Sequence, residues 1–226
     1  MTGMFESIRA VGFDLDGTFL NTHVDYSKID MADRKACAAH GIPFDDLVFN
    51  TDKRLRRPIR EWLEAHGRGD EFQTIYDEID RDLTSIELEF VDEAKPFPGS
   101  LECVRTLKER GYRIGLLTRG SYRYGNRALT DAGVRDCFDC IVGRDYADYD
   151  EAKPSPKAMY YFAEELGVKP CEILYLGDNK TDYHSARDAG AVFIGVCSGS
   201  MTREKWLQED PDMVTVQYAG DVIDLL

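Results

Sequence analysis

Five short apolar segments alternate with segments of helical periodicity through most of this chain of 226 residues. The predicted strands lie near residues 8–14, 113–118, 138–143, 172–177 and 191–196. The predicted helices lie near residues 99–110, 122–132, 156–167, 181–189 and 202–208. Strands that alternate with helices form a parallel sheet with helices on both faces, because each parallel connection needs a crossover. The sequence therefore predicts an α/β fold with a doubly wound parallel sheet.

Residues 22–95 interrupt this alternation, and no new strand is predicted there. Apolar residues recurring at helical spacing predict one long amphipathic helix, formed around Phe72, Ile75, Tyr76, Ile79, Leu83, Ile86 and Phe90. An earlier helix is indicated by Ala36, Ala39 and Ile42, and a short one over residues 58–65 by the glycines that follow it. We expect residues 22–95 to form a small helical domain with its own apolar core. Residues 1–21 and 96–226 then form the α/β core.

The first predicted strand ends in two acidic residues. Asp14 and Asp16 follow the apolar run that begins at Ile8, and Gly17 and Thr18 come directly after them. Side chains alternate faces along an extended strand, so residues two apart point the same way, and glycine allows a sharp turn. Asp also starts turns and caps helices, which leaves a purely structural role open for the segment alone. A nucleophile and a proton carrier at one strand tip would suit a covalent two-step reaction.

Further polar residues follow the later strands or open a helix. Thr118 ends the second strand, Lys153 precedes the helix near residues 156–167, and Asp178 and Asp182 follow the strand near residues 172–177. In an open parallel sheet, ligands bind beyond the carboxyl ends of the strands. Taken singly, these residues are as readily a strand-end cap, an exposed lysine and charges at a helix N-terminus. Their joint occurrence in this order favours one shared site.

With these segments the chain resembles the haloacid dehalogenase superfamily over nearly all of its length. The resemblance is to the phosphatase branch with a helical C1-type cap after the first motif, and it is phosphoglycolate phosphatase-like. It implies a Rossmann-like core with residues 22–95 as the cap. It also implies a phosphoric monoester hydrolase, a Mg²⁺-dependent phosphatase that acts on a small phosphorylated metabolite, with phosphoglycolate as the first candidate.

The resemblance also implies a role for each matching residue. Asp14 is the expected nucleophile, which forms an aspartyl phosphate, and Asp16 is the expected general acid and then general base. Thr118 is expected to donate its hydroxyl to a phosphoryl oxygen, and Lys153 to steady the phosphate and Asp14.

The same resemblance implies a Mg²⁺ site made of oxygen ligands, which this cation prefers. The predicted metal residues are Asp14, Asp16, Asp178 and Asp182. Asp16 is expected to contribute its main-chain carbonyl, and Asp182 to orient the other ligands rather than to bind the cation directly.

Substrate choice is expected to depend on other residues, because the motifs contact only the phosphoryl group and the metal. The predicted substrate-binding residues are Arg54, Arg56, Arg57, Arg119 and Gly120. Residues 53–60 form the only dense basic cluster of an acidic chain, which suits a second anionic group on the substrate. A solvated helix start is the equally weighted alternative, since Glu61 and Glu64 lie nearby. Arg119 directly follows Thr118 and is expected to face the same cleft.

Composition limits the classes of partner and compartment. The chain has 28 Lys and Arg against 42 Asp and Glu, a formal net charge of −14, which disfavours nucleic acid because binding its backbone relies on clustered cations. No run approaches the ~18 apolar residues of a membrane helix, and the N-terminal residues lack the pattern of a secretion signal. We expect a cytoplasmic protein without membrane contact. The Cys137 and Cys140 pair has no second pair to complete a zinc site, so all six cysteines are expected to be reduced and structural. The sequence leaves the oligomeric state open.

The sequence features are also compared with those expected of four alternatives to a phosphatase. A phosphomutase would use the same two acids and return the phosphoryl group to a bound intermediate. A dehalogenase has no use for an acid at position 16 or for a metal site at Asp178. A phospho-aspartate signalling module would be about half this length and must preserve its phosphate, whereas Asp16 is placed to remove it. A binding protein that has lost catalysis is disfavoured by the completeness of the motifs.

Overall fold

The computed structural model describes residues 5–49, 55–146 and 152–226. The chain divides into two compact units, of which one comprises Met1–His23 with Asp92–Leu226 and the other Val24–Val91. The strands are β1 (Ala10–Phe13), β2 (Leu20–Asn21), β3 (Lys95–Pro96), β4 (Arg113–Leu117), β5 (Cys140–Val142), β6 (Ile173–Gly177), β7 (Val192–Val196) and β8 (Thr215–Val216). The α-helices are α1 (Tyr26–Ala39), α2 (Arg56–Ala65), α3 (Phe72–Glu89), α4 (Ser100–Glu109), α5 (Tyr122–Asp131), α6 (Pro156–Leu166), α7 (Lys180–Ala189) and α8 (Arg203–Glu209).

The first unit, which we call the catalytic unit, is built on a six-stranded sheet in the order β5-β4-β1-β6-β7-β8. Every pairing in it is parallel, and β1 lies between β4 and β6, with Val11 opposite Ile114 and Leu174. All four residues of β1 and all five of β6 are buried, as expected for strands covered on both faces. The predicted doubly wound parallel sheet is confirmed.

Close packing on this sheet depends on two glycines in the central strands. The ring of Phe162, on α6, lies over Gly12 of β1 and Gly115 of β4. A Cβ at Gly12 would come within 2.5 Å of Phe162 Cε1, and one at Gly115 would clash with the same ring. Glycine within a strand often marks such a close approach. Here it allows α6 to pack closely on the centre of the sheet.

Two short pairings were not predicted. β8 adds a two-residue edge strand beside β7, and β2 pairs with β3 in a two-residue antiparallel ribbon, with Leu20 opposite Pro96. Hydrophobic periodicity needs at least four residues to be visible, so neither pairing leaves a signal in the sequence.

The second unit, which we call the helical unit, contains α1, α2 and α3. Its core joins Cys37, Ile59, Leu63, Phe72 and Ile75 with neighbouring apolar residues. The predicted long helix is α3, and the predicted short helix is α2. The assignment of Ile42 to the first helix was wrong: α1 ends at Ala39, and Ile42 is buried in the turn that follows. The sequence places this domain at residues 22–95, and the unit itself spans Val24–Val91.

Two further expectations concern the state of the cysteines and membrane-spanning helices. All six cysteines are free thiols, and burial raises the pKa of the Cys140 thiol to about 12, which keeps it protonated and unreactive. Among the described residues, no helix combines the length and the apolar composition needed to cross a membrane.

Candidate active site

Three of the predicted site residues stand at the ends of adjacent parallel strands. Asp14 directly follows β1, Thr118 directly follows β4, and Asp178 directly follows β6. The Asp14 backbone N–H donates to the Leu176 carbonyl at 2.9 Å, which continues the β1–β6 pairing by one residue. Asp14 is 8% exposed and Asp178 5% exposed. The sheet therefore holds two nearly buried carboxylates side by side.

The chain reverses immediately after Asp16, and glycine makes this possible. Gly17 has φ +83°, a left-handed conformation, and its N–H donates to the Leu20 carbonyl at 2.9 Å. A Cβ at Gly17 would lie 2.8 Å from Asp178 Oδ2. Glycine at this position therefore provides both the turn and the space for the Asp178 carboxylate.

Lys153 lies beneath these carboxylates and is fully buried. Its Nζ lies 2.7 Å from Asp14 Oδ1, 2.5 Å from Asp182 Oδ1, 2.8 Å from the Leu117 carbonyl and 2.9 Å from Tyr175 Oη. An ammonium has three protons, so these are shared among four acceptors. Burial disfavours the charged lysine, but Asp14 and Asp182 outweigh it and raise the pKa of Lys153 above its ordinary value. The two carboxylates therefore favour the charged form of this buried lysine.

Asp182 is positioned by the first turn of α7. Its Oδ2 accepts the Asn179 backbone N–H at 3.1 Å in a capping box, and its Oδ1 faces Lys153. Gly177 leaves room for this side chain, since a Cβ there would clash with Asp182. Burial, with repulsion from Asp14 and Asp178, raises the pKa of Asp182 to about 7 against the attraction of Lys153. Both Asp182 oxygens are therefore engaged within the protein.

Asp178 is held by two residues, Thr18 and Ser200, to which the sequence analysis assigned no role. Thr18 Oγ1 donates to Asp178 Oδ1 at 3.1 Å, and the Ser200 backbone N–H donates to Oδ2 at 2.7 Å. Burial and the nearby Asp14 raise the pKa of Asp178, although these hydrogen bonds favour its charged form. The only sequence signal for Ser200 is the run of small polar residues that follows β7.

These acidic residues fit a divalent metal ion. One carboxylate oxygen from each of Asp14, Asp178 and Asp182 lies within 4.8 Å of the others. Oxygens on opposite sides of Mg²⁺ are about 4.2 Å apart at ligand distances of ~2.1 Å, so small adjustments bring this set into range. Lys153 supplies one positive charge to these three buried carboxylates, and the excess negative charge favours binding of a further cation. Coordination by the Asp16 carbonyl remains a prediction.

Thr118 and Asp16 are the remaining predicted catalytic residues. Thr118 is fully buried, and its Oγ1 accepts the Gly120 N–H at 2.9 Å, which leaves the hydroxyl proton to donate elsewhere. Asp16 is half-buried, and its Oδ1 accepts the Tyr124 hydroxyl at 2.8 Å. Arg119 is exposed directly after Thr118.

The predicted arginines of the helical unit have partners inside that unit. Arg56 lies with its guanidinium 4.8 Å from the centre of the Tyr76 ring, and Arg57 Nε donates to Glu61 at 2.7 Å, one turn further along α2. Arg54 lies outside the described residues. A role for these residues in substrate binding remains a prediction.

Comparison with known proteins gives a consistent assignment. Residues 8–190 match the family model of the haloacid dehalogenase-like hydrolases. A phosphoglycolate phosphatase of Vibrio vulnificus is 27% identical over 95% of this chain and 94% of its own length. An N-acetylmuramic acid 6-phosphate phosphatase of Pseudomonas aeruginosa is 25% identical over 97% of this chain and 95% of its own.

Among solved structures, β-phosphoglucomutase from Clostridium difficile superposes with a TM-score of 0.63. The two are 20% identical over 95% of this chain and 93% of the other, a likeness that shows the fold. The family model covers most of the chain, including every strand tip that carries an acidic residue of the site. The chain therefore belongs to the haloacid dehalogenase-like hydrolase family, in its phosphatase branch.

Proposed function

We propose that this phosphoric monoester hydrolase transfers the phosphoryl group of a small metabolite first to Asp14 and then to water. The observation that carries the proposal is the buried Lys153 ammonium between Asp14 and Asp182, at 2.7 and 2.5 Å, with Asp178 beside them. A buried cation bound to a strand-tip carboxylate fixes the position of that carboxylate for attack on phosphorus.

Each step conserves bonds and protons. A carboxylate oxygen of Asp14 bonds to phosphorus as the ester P–O bond breaks, and Asp16 gives its proton to the leaving oxygen. Asp16 then takes a proton from water as the water oxygen bonds to phosphorus and the bond between Asp14 and phosphorus breaks. The Asp14 carboxylate and the Asp16 acid are both regenerated, with inorganic phosphate and the alcohol as products.

The neighbouring residues support the charge that moves in these steps. Lys153 offsets the negative charge on Asp14 and on the attached phosphoryl group, and the Thr118 hydroxyl donates to a phosphoryl oxygen. Asp14 and Asp178 would hold Mg²⁺, and Asp182 would keep Lys153 and the metal ligands aligned. Mg²⁺ would supply positive charge that stabilises the negative charge of the phosphoryl group.

The substrate in this proposal is a small phosphate monoester with a second anionic group. The named relatives act on phosphoglycolate and on N-acetylmuramic acid 6-phosphate. Each of these compounds has a carboxylate in addition to its phosphate. We propose that the cap, residues 22–95, selects the substrate through Arg54, Arg56 and Arg57, with Arg119 and Gly120 contributing from the catalytic unit.

A Mg²⁺-dependent phosphate-release screen over a panel of phosphorylated metabolites tests this function. Phosphoglycolate comes first, followed by sugar phosphates and nucleoside monophosphates. Release of inorganic phosphate with turnover is the expected result. A rearranged phosphate ester without free phosphate would instead identify the phosphomutase, which shares the Asp14 and Asp16 chemistry. No turnover of any monoester would contradict the proposal.

A further inference from the structure

A buried tyrosine on α5 contacts the proposed general acid. Tyr124 is 1% exposed, and its hydroxyl donates to Asp16 Oδ1 at 2.8 Å, across 108 residues of sequence. None of the proposed catalytic steps uses this side chain. Asp16 stands in the turn after β1, where the backbone does not set its side-chain torsions, so contacts such as the Tyr124 hydrogen bond orient the carboxyl group. The tyrosine therefore supplies an orientation that the turn alone does not.

The position of the Tyr124 ring is fixed from two sides. Ser121 caps α5, and its Oγ accepts the Tyr124 backbone N–H at 3.2 Å. Gly120 has no side chain, and a Cβ there would lie 2.7 Å from Tyr124 Cδ1. The ring thus packs directly against the loop that carries Thr118, with few alternative rotamers. Such a rigid donor is suited to holding another group in place.

We propose that Tyr124 is a positioning residue that determines which oxygen of Asp16 carries the transferred proton. Because Oδ1 accepts the phenol proton, the proton of the neutral Asp16 carboxyl resides on Oδ2. Oδ2 then gives its proton to the leaving oxygen as the ester bond breaks, and later takes one from water. Tyr124 keeps its own proton throughout. This inference rests on the proposed phosphatase chemistry, in which Asp16 is the acid and base.

The dependence of rate on the leaving group tests this role directly. An alkyl phosphate leaves as a strongly basic alkoxide and needs the acid, whereas 4-nitrophenyl phosphate leaves as a stable phenolate and needs it little. We expect Tyr124→Phe to lower kcat/KM for the alkyl phosphate about tenfold, part of the ~10²-fold or more that a general acid contributes. For 4-nitrophenyl phosphate we expect a change of less than about threefold, with KM for both substrates near that of the wild type.

A matched control lies in the same unit. Tyr183 is 8% exposed and donates to Asp210 Oδ2 at 2.8 Å, a bond of the same type and length, within a separate apolar cluster with Trp206 and Met213. Tyr183→Phe should leave the ratio of the two kcat/KM values unchanged. The ratio is measured on one sample, so a partly unfolded variant does not alter it.

The Asp16→Asn variant distinguishes a failure of the phosphatase proposal from a failure of the positioning role of Tyr124. An inactive wild type, or Asp16→Asn with wild-type rates on the alkyl phosphate, would overturn the phosphatase proposal itself. If the wild type is active and Asp16→Asn loses mainly the alkyl phosphate, the phosphatase proposal stands. In that case an equal loss on both substrates in Tyr124→Phe, or no loss on either, overturns the positioning role alone.

Discussion

At the strand ends of the catalytic unit, Lys153 is fully buried between Asp14 and Asp182, whereas in the helical unit Arg57 lies at the surface beside Glu61. The buried ammonium has no access to water, so its energy depends entirely on its protein partners. The exposed guanidinium is solvated with or without Glu61, and such pairs contribute little to stability.

The buried cluster and the α2 arginines therefore differ in what their contacts imply about function. Removing Lys153 would leave Asp14 and Asp182 buried without their cation, so these three residues depend on one another. The arginines of α2 already have local partners, Glu61 for Arg57 and the Tyr76 ring for Arg56, so their geometry alone does not require a substrate. Burial therefore links the proposed catalytic residues to one another, whereas the contacts of the α2 arginines do not link them to a substrate.

The largest expected effect comes from removing the nucleophile. Asp14→Asn should abolish turnover, because an amide has no anionic oxygen to attack phosphorus. Phosphate release is measured with the best substrate, and circular dichroism checks that the variant is folded. Asp16→Asn is the graded companion, expected to slow turnover by at least about 10²-fold while largely retaining Mg²⁺ affinity. Turnover near wild type in folded Asp14→Asn would contradict the assignment.

Removal of metal should have a comparable effect on activity. Excess chelator is expected to eliminate phosphate release, and added Mg²⁺ to restore it, because the clustered carboxylates would otherwise repel a dianionic phosphate. Asp178→Asn should raise the Mg²⁺ concentration needed for half-maximal activity. Full activity in chelator, with protein shown to be metal-free by elemental analysis, would argue against the site.

Lys153→Met removes the buried cation, and Arg57→Ala removes an exposed one. We expect a loss of activity and a decrease in the free energy of unfolding of ~3–5 kcal/mol, because Asp14 and Asp182 are left buried without their cation. Arg57→Ala, which breaks an exposed pair, should unfold in urea like the wild type within error. Equal stability of Lys153→Met and the wild type would mean that the buried pair is replaced at no cost.

The smallest expected effect concerns substrate choice. The variant Arg54→Ala, Arg56→Ala and Arg57→Ala should raise KM for phosphoglycolate about tenfold, the equivalent of one charge-assisted hydrogen bond, and spare an aryl phosphate that carries no second anionic group. Arg127→Ala is the matched control, because Arg127 pairs with Asp131 one turn along α5 as Arg57 does with Glu61 on α2. Equal losses on both substrates, or none, would make the cluster a solvated surface.

The sequence predicts those parts of the molecule whose signal is local. Buried strands such as β6 are continuous apolar runs, and the acidic residues that follow them mark the strand tips. The supporting contacts carry no such signal, because they arise between distant segments. Tyr175 counts as an ordinary core residue of β6, yet its hydroxyl accepts from Lys153 and donates to the Leu117 carbonyl. Ser200 reaches Asp178 across 22 residues, and no local pattern predicts that approach.

Trapping the covalent intermediate tests most directly whether Asp14 is the nucleophile. Substrate is mixed with enzyme and Mg²⁺, quenched in acid within one turnover and reduced with borohydride, which converts an aspartyl phosphate to homoserine. Peptide mapping should then find homoserine at position 14 in the wild type and none in Asp14→Asn. Phosphate release in that turnover with position 14 unmodified, or homoserine at another acidic residue, would contradict the account.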